Sequence, residues 1–285
     1  MRLMPALACL PMIALLTACE PEPSGQPVLR TEIGKGEEEA AAIREAEEAE
    51  ERAALAATSV CKPVTFENVA LTHCTADPAT HRISTALANG EGENFGSLDS
   101  FSQSVDVATI AFAMNGGMYG DDREPVGYYV ERGERLSELD RSDGDGNFYM
   151  KPNGVFFGTG GKWEIKTADD FYRTVGDRPA FGTQSGPMLV IKGEMHPDFQ
   201  DNGPSRAVRN GVGIAADGKA HFVISEEPIS FGQFARFFRD ELKTPNALYL
   251  DGQVSVLWDP ATGRLDSRSN LGPLLIVTKQ QETSE

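Results

Sequence analysis

Short apolar runs that stop at a polar residue and a glycine recur along this chain. Ala247 to Leu250 ends on Asp251-Gly252, and Val105 to Ala113 leads into Asn115-Gly116-Gly117. Met188 to Ile191 is entered from Gln184-Ser185-Gly186-Pro187, and Val212 to Ile214 follows Arg209-Asn210-Gly211. Runs of this length, bounded by turn residues, predict buried strands. Strand-like stretches also fall at Val64–Leu71, Arg82–Leu87, Pro125–Val130, Val155–Phe157, Trp163–Ile165, Ala220–Ser225 and Leu274–Thr278. One segment has helical period instead: Phe231, Phe234, Ala235, Phe238 and Leu242 recur behind Ser230, a natural N-cap. That aromatic stripe is core packing. The pattern predicts an α+β fold, β-rich and mixed, with mainly antiparallel sheets and a few packed helices, chiefly over residues 230–242.

The first 59 residues follow other rules. Met1–Ala18 carries Arg2 and then a short apolar stretch to Leu16, the form of a secretory signal. Its ending, Leu16-Thr17-Ala18-Cys19, resembles a bacterial lipobox, in which Cys19 is lipidated and becomes the mature N-terminus; the alternative is an ordinary signal with a chance cysteine. Glu20–Ser59 opens with Pro21, Pro23, Gly25 and Pro27 and turns into a Glu-, Ala- and Arg-rich run without a continuous apolar face. It reads as an acidic, solvated tether. Residues 60–285 are long enough for one well-buried domain. The implied place is the bacterial cell envelope, on the periplasmic face, with membrane attachment through the lipid only. In that oxidising compartment a Cys61–Cys74 disulfide is plausible, with two free thiols as the alternative.

Charge narrows the partners. The chain has 43 acidic and 26 basic side chains, a net of −17. From Val60 onward the balance is 32 to 21, so the body is acidic in its own right. Nucleic acid is a poor partner for such a surface. An anionic ligand needs a local basic pocket.

The candidate chemistry sits at the strand ends. Asp251 either delivers a carboxylate to the mouth of a site or caps a turn through its own backbone. Gly116 and Gly117 either converge amides on an anion or form a structural turn. Arg206 and Arg209 suit bidentate capture of phosphate or carboxylate, or else pair with nearby acids. Ser185 is outside a Gly-x-Ser-x-Gly elbow, because Thr183 stands where the first glycine belongs, so Gln184 and Ser185 read as binding groups. The Asp- and Gly-rich stretch Asp140–Asn147 fails the calcium-loop pattern. His73, His81, His196 and His221 form no metal-binding motif, and neither metal nor cofactor is implied.

Taken together, Asn115-Gly116-Gly117-Met118-Tyr119, Pro125-Val126-Gly127, Lys151-Pro152-Asn153-Gly154, Thr183-Gln184-Ser185-Gly186-Pro187, Arg209-Asn210-Gly211 and Asn246 to Ser255 resemble the bacterial branch of the phosphodiester glycosidase family. The resemblance covers roughly Thr65 to Thr278. In the mammalian branch the last motif has two further glycines where Gln253 and Val254 stand here, so substrate identity does not transfer. The resemblance implies hydrolysis of a sugar–phosphate diester at the sugar C1–O bond. Asp251 would be nucleophile or general base, and Arg206 or Arg209 would hold the phosphodiester. Asn115, Gly116, Gln184, Ser185, Asn210 and Ser255 would bind sugar or phosphate oxygens. Asp122 and Glu226 are the candidates for a second acid. Two rivals stand beside this reading: a non-catalytic envelope module that binds glycans or phosphorylated polymers, and a metal-dependent phosphodiesterase cutting P–O.

Overall fold

The computed structural model describes residues 35–280, with side chains described from Glu39. Met1–Ala18, read from the sequence as a signal, and Cys19 therefore lie outside the described residues. The chain forms two units, residues 1–47 and 48–285. Helix Lys35–Ala57 carries almost only exposed residues along its described length, including Ile43 and Leu55, as its lack of an apolar face dictates. No described helix is long and apolar enough to cross a membrane.

The second unit is built from three larger antiparallel sheets and one short two-stranded ladder. In the seven-stranded sheet the order is Cys61–Phe66, Val69–Ala76, Ala220–Ser225, Asn210–Ile214, Asn246–Tyr249, Met188–Ile191 and Glu194–Met195. A five-stranded sheet runs Arg264–Leu265, Leu257–Asp259, Ile110–Asn115, Leu274–Lys279 and His81–Ala86. The other five-stranded sheet contains Glu134–Ser137, Tyr129–Glu131, Phe181–Ser185, Gly154–Thr159 and Lys162–Thr167. The β-rich α+β reading of the sequence is correct.

All three sheets contribute to one core. Phe222, Val212 and Leu248 come from the first, Phe112, Met114 and Leu257 from the second, and Phe156, Phe181 and Trp163 from the third. Helix Phe231–Arg236 covers the opposite face of the seven-stranded sheet, where Phe234 and Phe238 meet Leu71, Leu189, Val223 and Tyr249. Ser230 caps it by accepting from the Gln233 amide. Its last turn widens to a π-helix over Phe237–Glu241, a departure from the uniform helix the spacing predicts. Both the amide and the hydroxyl of Thr244 bond to the Phe238 carbonyl there and close the end. Cys61 and Cys74 sit directly opposite each other on the first two strands of this sheet and are disulfide-bonded.

One face of that sheet carries a pH-sensitive pair. His73 Nε2 and His221 Nδ1 are 2.8 Å apart, with the rings stacked and the edge of Phe237 against His73. Burial, then the neighbouring His221, holds His73 down to about 4. Burial also lowers His221. A folded value below the unfolded one means stability is intact above about pH 6.5 and is lost as pH falls toward 4. The expected result is a Tm that drops across this interval, with a shallower drop in His73→Asn. Parallel curves for the two proteins would contradict the assignment.

Candidate active site

The site forms where strand ends from two sheets meet. Strand Asn246–Tyr249 leaves the core through Leu250 and stops at Asp251. Asp251 then caps a single 3₁₀ turn, Gly252–Val254, by accepting from the Gln253 amide at 3.2 Å. Asp251 thus caps a turn, as one of its two sequence readings has it, and the same residue faces a cavity. That cavity, of about 470 Å³, is lined by Tyr119, Asp121, Arg123, Asp251, Gln253 and Asn270, with Gly120 and Val254 completing the wall.

Beneath Asp251 lies a lattice of buried amides. Asn115 Nδ2 donates to the Asp251 carbonyl at 2.8 Å. Asn115 Oδ1 accepts from Asn210 Nδ2 at 2.8 Å and from the Val256 amide at 3.0 Å. Ser255 Oγ donates to the Gly252 carbonyl at 3.1 Å and to Asn210 Oδ1 at 3.3 Å. Asn115 belongs to a five-stranded sheet and Asn210 to the seven-stranded one, so the lattice pins the two sheets together under the Asp251 turn. A fully satisfied buried network of this kind fixes geometry. Asn115, Asn210 and Ser255 are thus positioning residues, where the sequence suggested ligand contacts.

Other expectations change similarly. The Gly116 amide donates to the Pro273 carbonyl at 2.7 Å and the Gly117 amide to Thr183 Oγ1 at 3.1 Å, so neither is free for an anion. A side chain on Gly117 would overlap the Gln184 carbonyl, which explains that glycine by packing. Gln184 Oε1 accepts from the Tyr128 and Asp140 amides, and its Nε2 donates to the Asp140 carbonyl. It clamps a loop and does not reach the cavity lining. Ser185 is fully buried, and its hydroxyl lacks a partner among the described residues.

The two arginines separate. Arg206 donates weakly to the Pro228 carbonyl and Gln233 Oε1 on the outer surface. Arg209 is buried, 2% exposed. Its guanidinium donates to the Ile229 carbonyl at 2.9 Å and to the Ser205 carbonyl and hydroxyl at 3.1 and 3.2 Å. It lies 3.5 Å from the Phe231 ring centroid and 5.4 Å from that of Tyr249. Burial lowers its pKa, opposed by Tyr249. Arg209 supports the floor of the site through Tyr249, whose hydroxyl occupies the space a side chain on Gly252 would need.

Neither candidate second acid lines the cavity. Asp122 turns away and accepts from the Glu124 amide at 3.0 Å, and its neighbour Asp121 takes the lining position. Glu226 is held by Arg264 at 2.6 Å and by Thr72 at 2.6 Å.

The groups that do face Asp251 include two that sequence reasoning passed over, Tyr119 and Arg123. Tyr119 packs its ring over Gly272, where a side chain would overlap it. Arg123 projects from a tight hairpin closed by Gly120 to Glu124, at φ +69°. Arg268 donates to the Gln253 carbonyl at 3.2 Å but lines a separate hollow with Ser97 and Asp266. Among the described residues neither Arg123 nor Arg268 has a carboxylate ion pair. Burial, opposed by the Gln253 amide, raises the Asp251 pKa. Burial first, and the Asp251 charge second, push the Tyr119 phenol up to about 12. The site thus holds the poorly solvated Asp251 carboxylate, the Asp121 carboxylate, a protonated phenol and the Arg123 guanidinium. Among the described residues no three His, Cys, Asp or Glu cluster in a way that could hold a metal ion.

A family model described as phosphodiester glycosidase matches residues 108–258. That span contains the whole Asn115, Asn210, Asp251 and Ser255 lattice. The uncharacterized protein YigE of Escherichia coli K12 is 35% identical over 185 residues, 65% of this chain and 72% of its own. The fold is similar to the catalytic domain of zebrafish N-acetylglucosamine-1-phosphodiester alpha-N-acetylglucosaminidase, auto-inhibited by its pro-peptide. The TM-score is 0.51 with 14% identity, covering 78% of this chain and 82% of that one. The chain belongs to the phosphodiester glycosidase family.

Proposed function

We propose that the protein is an envelope hydrolase, anchored by lipid on Cys19, that releases a sugar from a sugar–phosphate diester by cleaving the glycosidic C1–O bond. The observation that carries this is Asp251, half-buried and facing a cavity, with Arg123 in the same wall and without a carboxylate ion pair among the described residues. Arg123 neutralises the phosphodiester, and its fixed charge stabilises the phosphate as it departs. Asp251 attacks C1 or takes a proton from the attacking water. The departing phosphate monoester is a stable anion, so the reaction needs little help from a second carboxylic acid. Neither Asp122 nor Glu226 lines the cavity, and Asp121 is the carboxylate that shares its wall with Asp251. Tyr119, kept protonated, donates a hydrogen bond to the substrate.

The test is a panel of sugar 1-phosphodiesters, N-acetylglucosamine first, with free sugar as the readout. Arg123→Ala should raise KM about tenfold or more, because an unpaired charge–charge contact to the diester is lost. Unchanged KM in that variant would remove Arg123 from the site. Binding of the diesters without any sugar release would favour the non-catalytic glycan-binding module.

A further inference from the structure

A hollow larger than the one at Asp251 lies elsewhere on the described residues. It has a volume of about 810 Å³ and lies against helix Ala168–Thr174 and the loop that leads from it, with Arg135, Arg141, Tyr172 and Arg178 in its wall. None of the Asp251 cavity residues lines it. A second hollow of about 260 Å³ adjoins it, since Arg141 lines both, and continues the track to Lys151. The result is an elongated groove with four cationic side chains, cut into an acidic body.

The cations are not all neutralised. Arg178 donates only to the Gly133 carbonyl, at 3.4 Å, and has no carboxylate ion pair among the described residues. Arg141 reaches Asp169 at a loose 3.4 Å, while its guanidinium lies 4.0 Å from the Tyr172 ring centroid. That stacking fixes the guanidinium plane before any ligand arrives. Tyr172 is 64% exposed, a large aromatic surface left open beside it. Arg135 pairs with Glu138 at 2.8 Å. Glu138 and Asp177 also line the groove and offer acceptors to hydroxyl donors. Lys151 pairs with Asp143 at 2.6 Å, so Arg178 is the unpaired cation and Arg141 the loosely paired one. An aromatic face, acceptors for hydroxyls and these two guanidiniums in one channel match a sugar chain bearing negative groups. A simple inorganic anion would leave the aromatic face and the acids unused.

We propose that this groove is a second binding site, separate from the Asp251 cavity, for a phosphate-bearing oligosaccharide. A sugar ring packs on Tyr172, and the phosphate is held by Arg178 and Arg141. The site would keep a phosphorylated glycan chain on the protein irrespective of what happens at Asp251.

Calorimetric titration of the full protein with phosphomannopentaose and with mannopentaose tests this. The phosphorylated chain should bind about tenfold tighter or more than the neutral one. Inorganic phosphate at equal concentration should not displace it. The double variant Tyr172→Ala/Arg178→Ala changes two exposed side chains and should keep its circular dichroism and Tm. It should lose about tenfold or more in affinity, while Asp251→Asn retains wild-type binding. Equal affinity for the two oligosaccharides, displacement by inorganic phosphate, no binding, or binding lost in Asp251→Asn but not in the double variant would each overturn the proposal.

Discussion

Replacing Asp251 by Asn should abolish sugar release, by about a thousandfold or more in kcat, and at the same time raise Tm at pH 7. The two effects share one cause. Burial lifts the folded carboxyl pKa above its unfolded value, so the charged form of Asp251 weakens the native state. The sign follows from linkage. The native protein binds this proton more tightly than the unfolded chain does, so the penalty is absent below the unfolded pKa and grows as pH rises through the folded one. Asparagine keeps an oxygen for the Gln253 amide and drops the charge. The stability gain in the variant should therefore be full at neutral pH and fade as pH falls into the carboxylate range. The acid limb of wild-type activity should lie above the ordinary carboxyl value of 3.8 for the same reason. A variant with lower Tm at pH 7, or with wild-type kcat, would contradict this account of Asp251. Such a trade is common where a site keeps a desolvated charge for function.

Asn115→Leu should be among the most damaging substitutions in the domain without touching a ligand. The leucine matches the volume but leaves three buried partners alone: the Asp251 carbonyl, the Asn210 amide and the Val256 amide. Each orphaned group costs about 1–3 kcal/mol, so a loss of roughly 3–5 kcal/mol is expected in urea unfolding after partial relaxation. Activity should fall further than the folded fraction does, because the Asp251 turn loses its tie to the neighbouring sheet. The double variant Asn115→Leu/Asn210→Leu should cost clearly less than the two single changes added, since they break one network. Additive losses would show that the two asparagines act independently.

Asp251 was legible from its own stretch, because an apolar run that halts at Asp-Gly announces a strand leaving the core. The antiparallel β-rich architecture was legible in the same way, from turn residues at short intervals. Ser230 and the aromatic stripe marked the helix, yet its π-helical end depends on Thr244 reaching back to the Phe238 carbonyl, which no periodicity encodes. The roles of the polar residues were less visible. Asn115 and Asn210 lie 95 positions apart and serve each other, and a buried amide and a ligand-binding amide look alike in sequence. Glu226 stands at a strand end just as Asp251 does, but Arg264, 38 residues on, takes its carboxylate. Arg123 sits in a hairpin of Gly, Asp and Arg that reads as solvated loop, and only the fold turns it toward Asp251. The adjoining Asp121 and Asp122 show the limit sharply, since the turn chemistry of one residue decides which neighbour faces the cavity.

The central claim is that a bond to sugar carbon breaks at Asp251, not a bond to phosphorus. Turnover of N-acetylglucosamine 1-phosphodiester in water enriched with ¹⁸O tests it most directly, with the label traced by mass spectrometry. The account predicts ¹⁸O on C1 of the released sugar, unlabelled phosphate monoester, and no turnover in Asp251→Asn. Label in the phosphate product would place the cleavage at P–O and contradict the glycosidase reading.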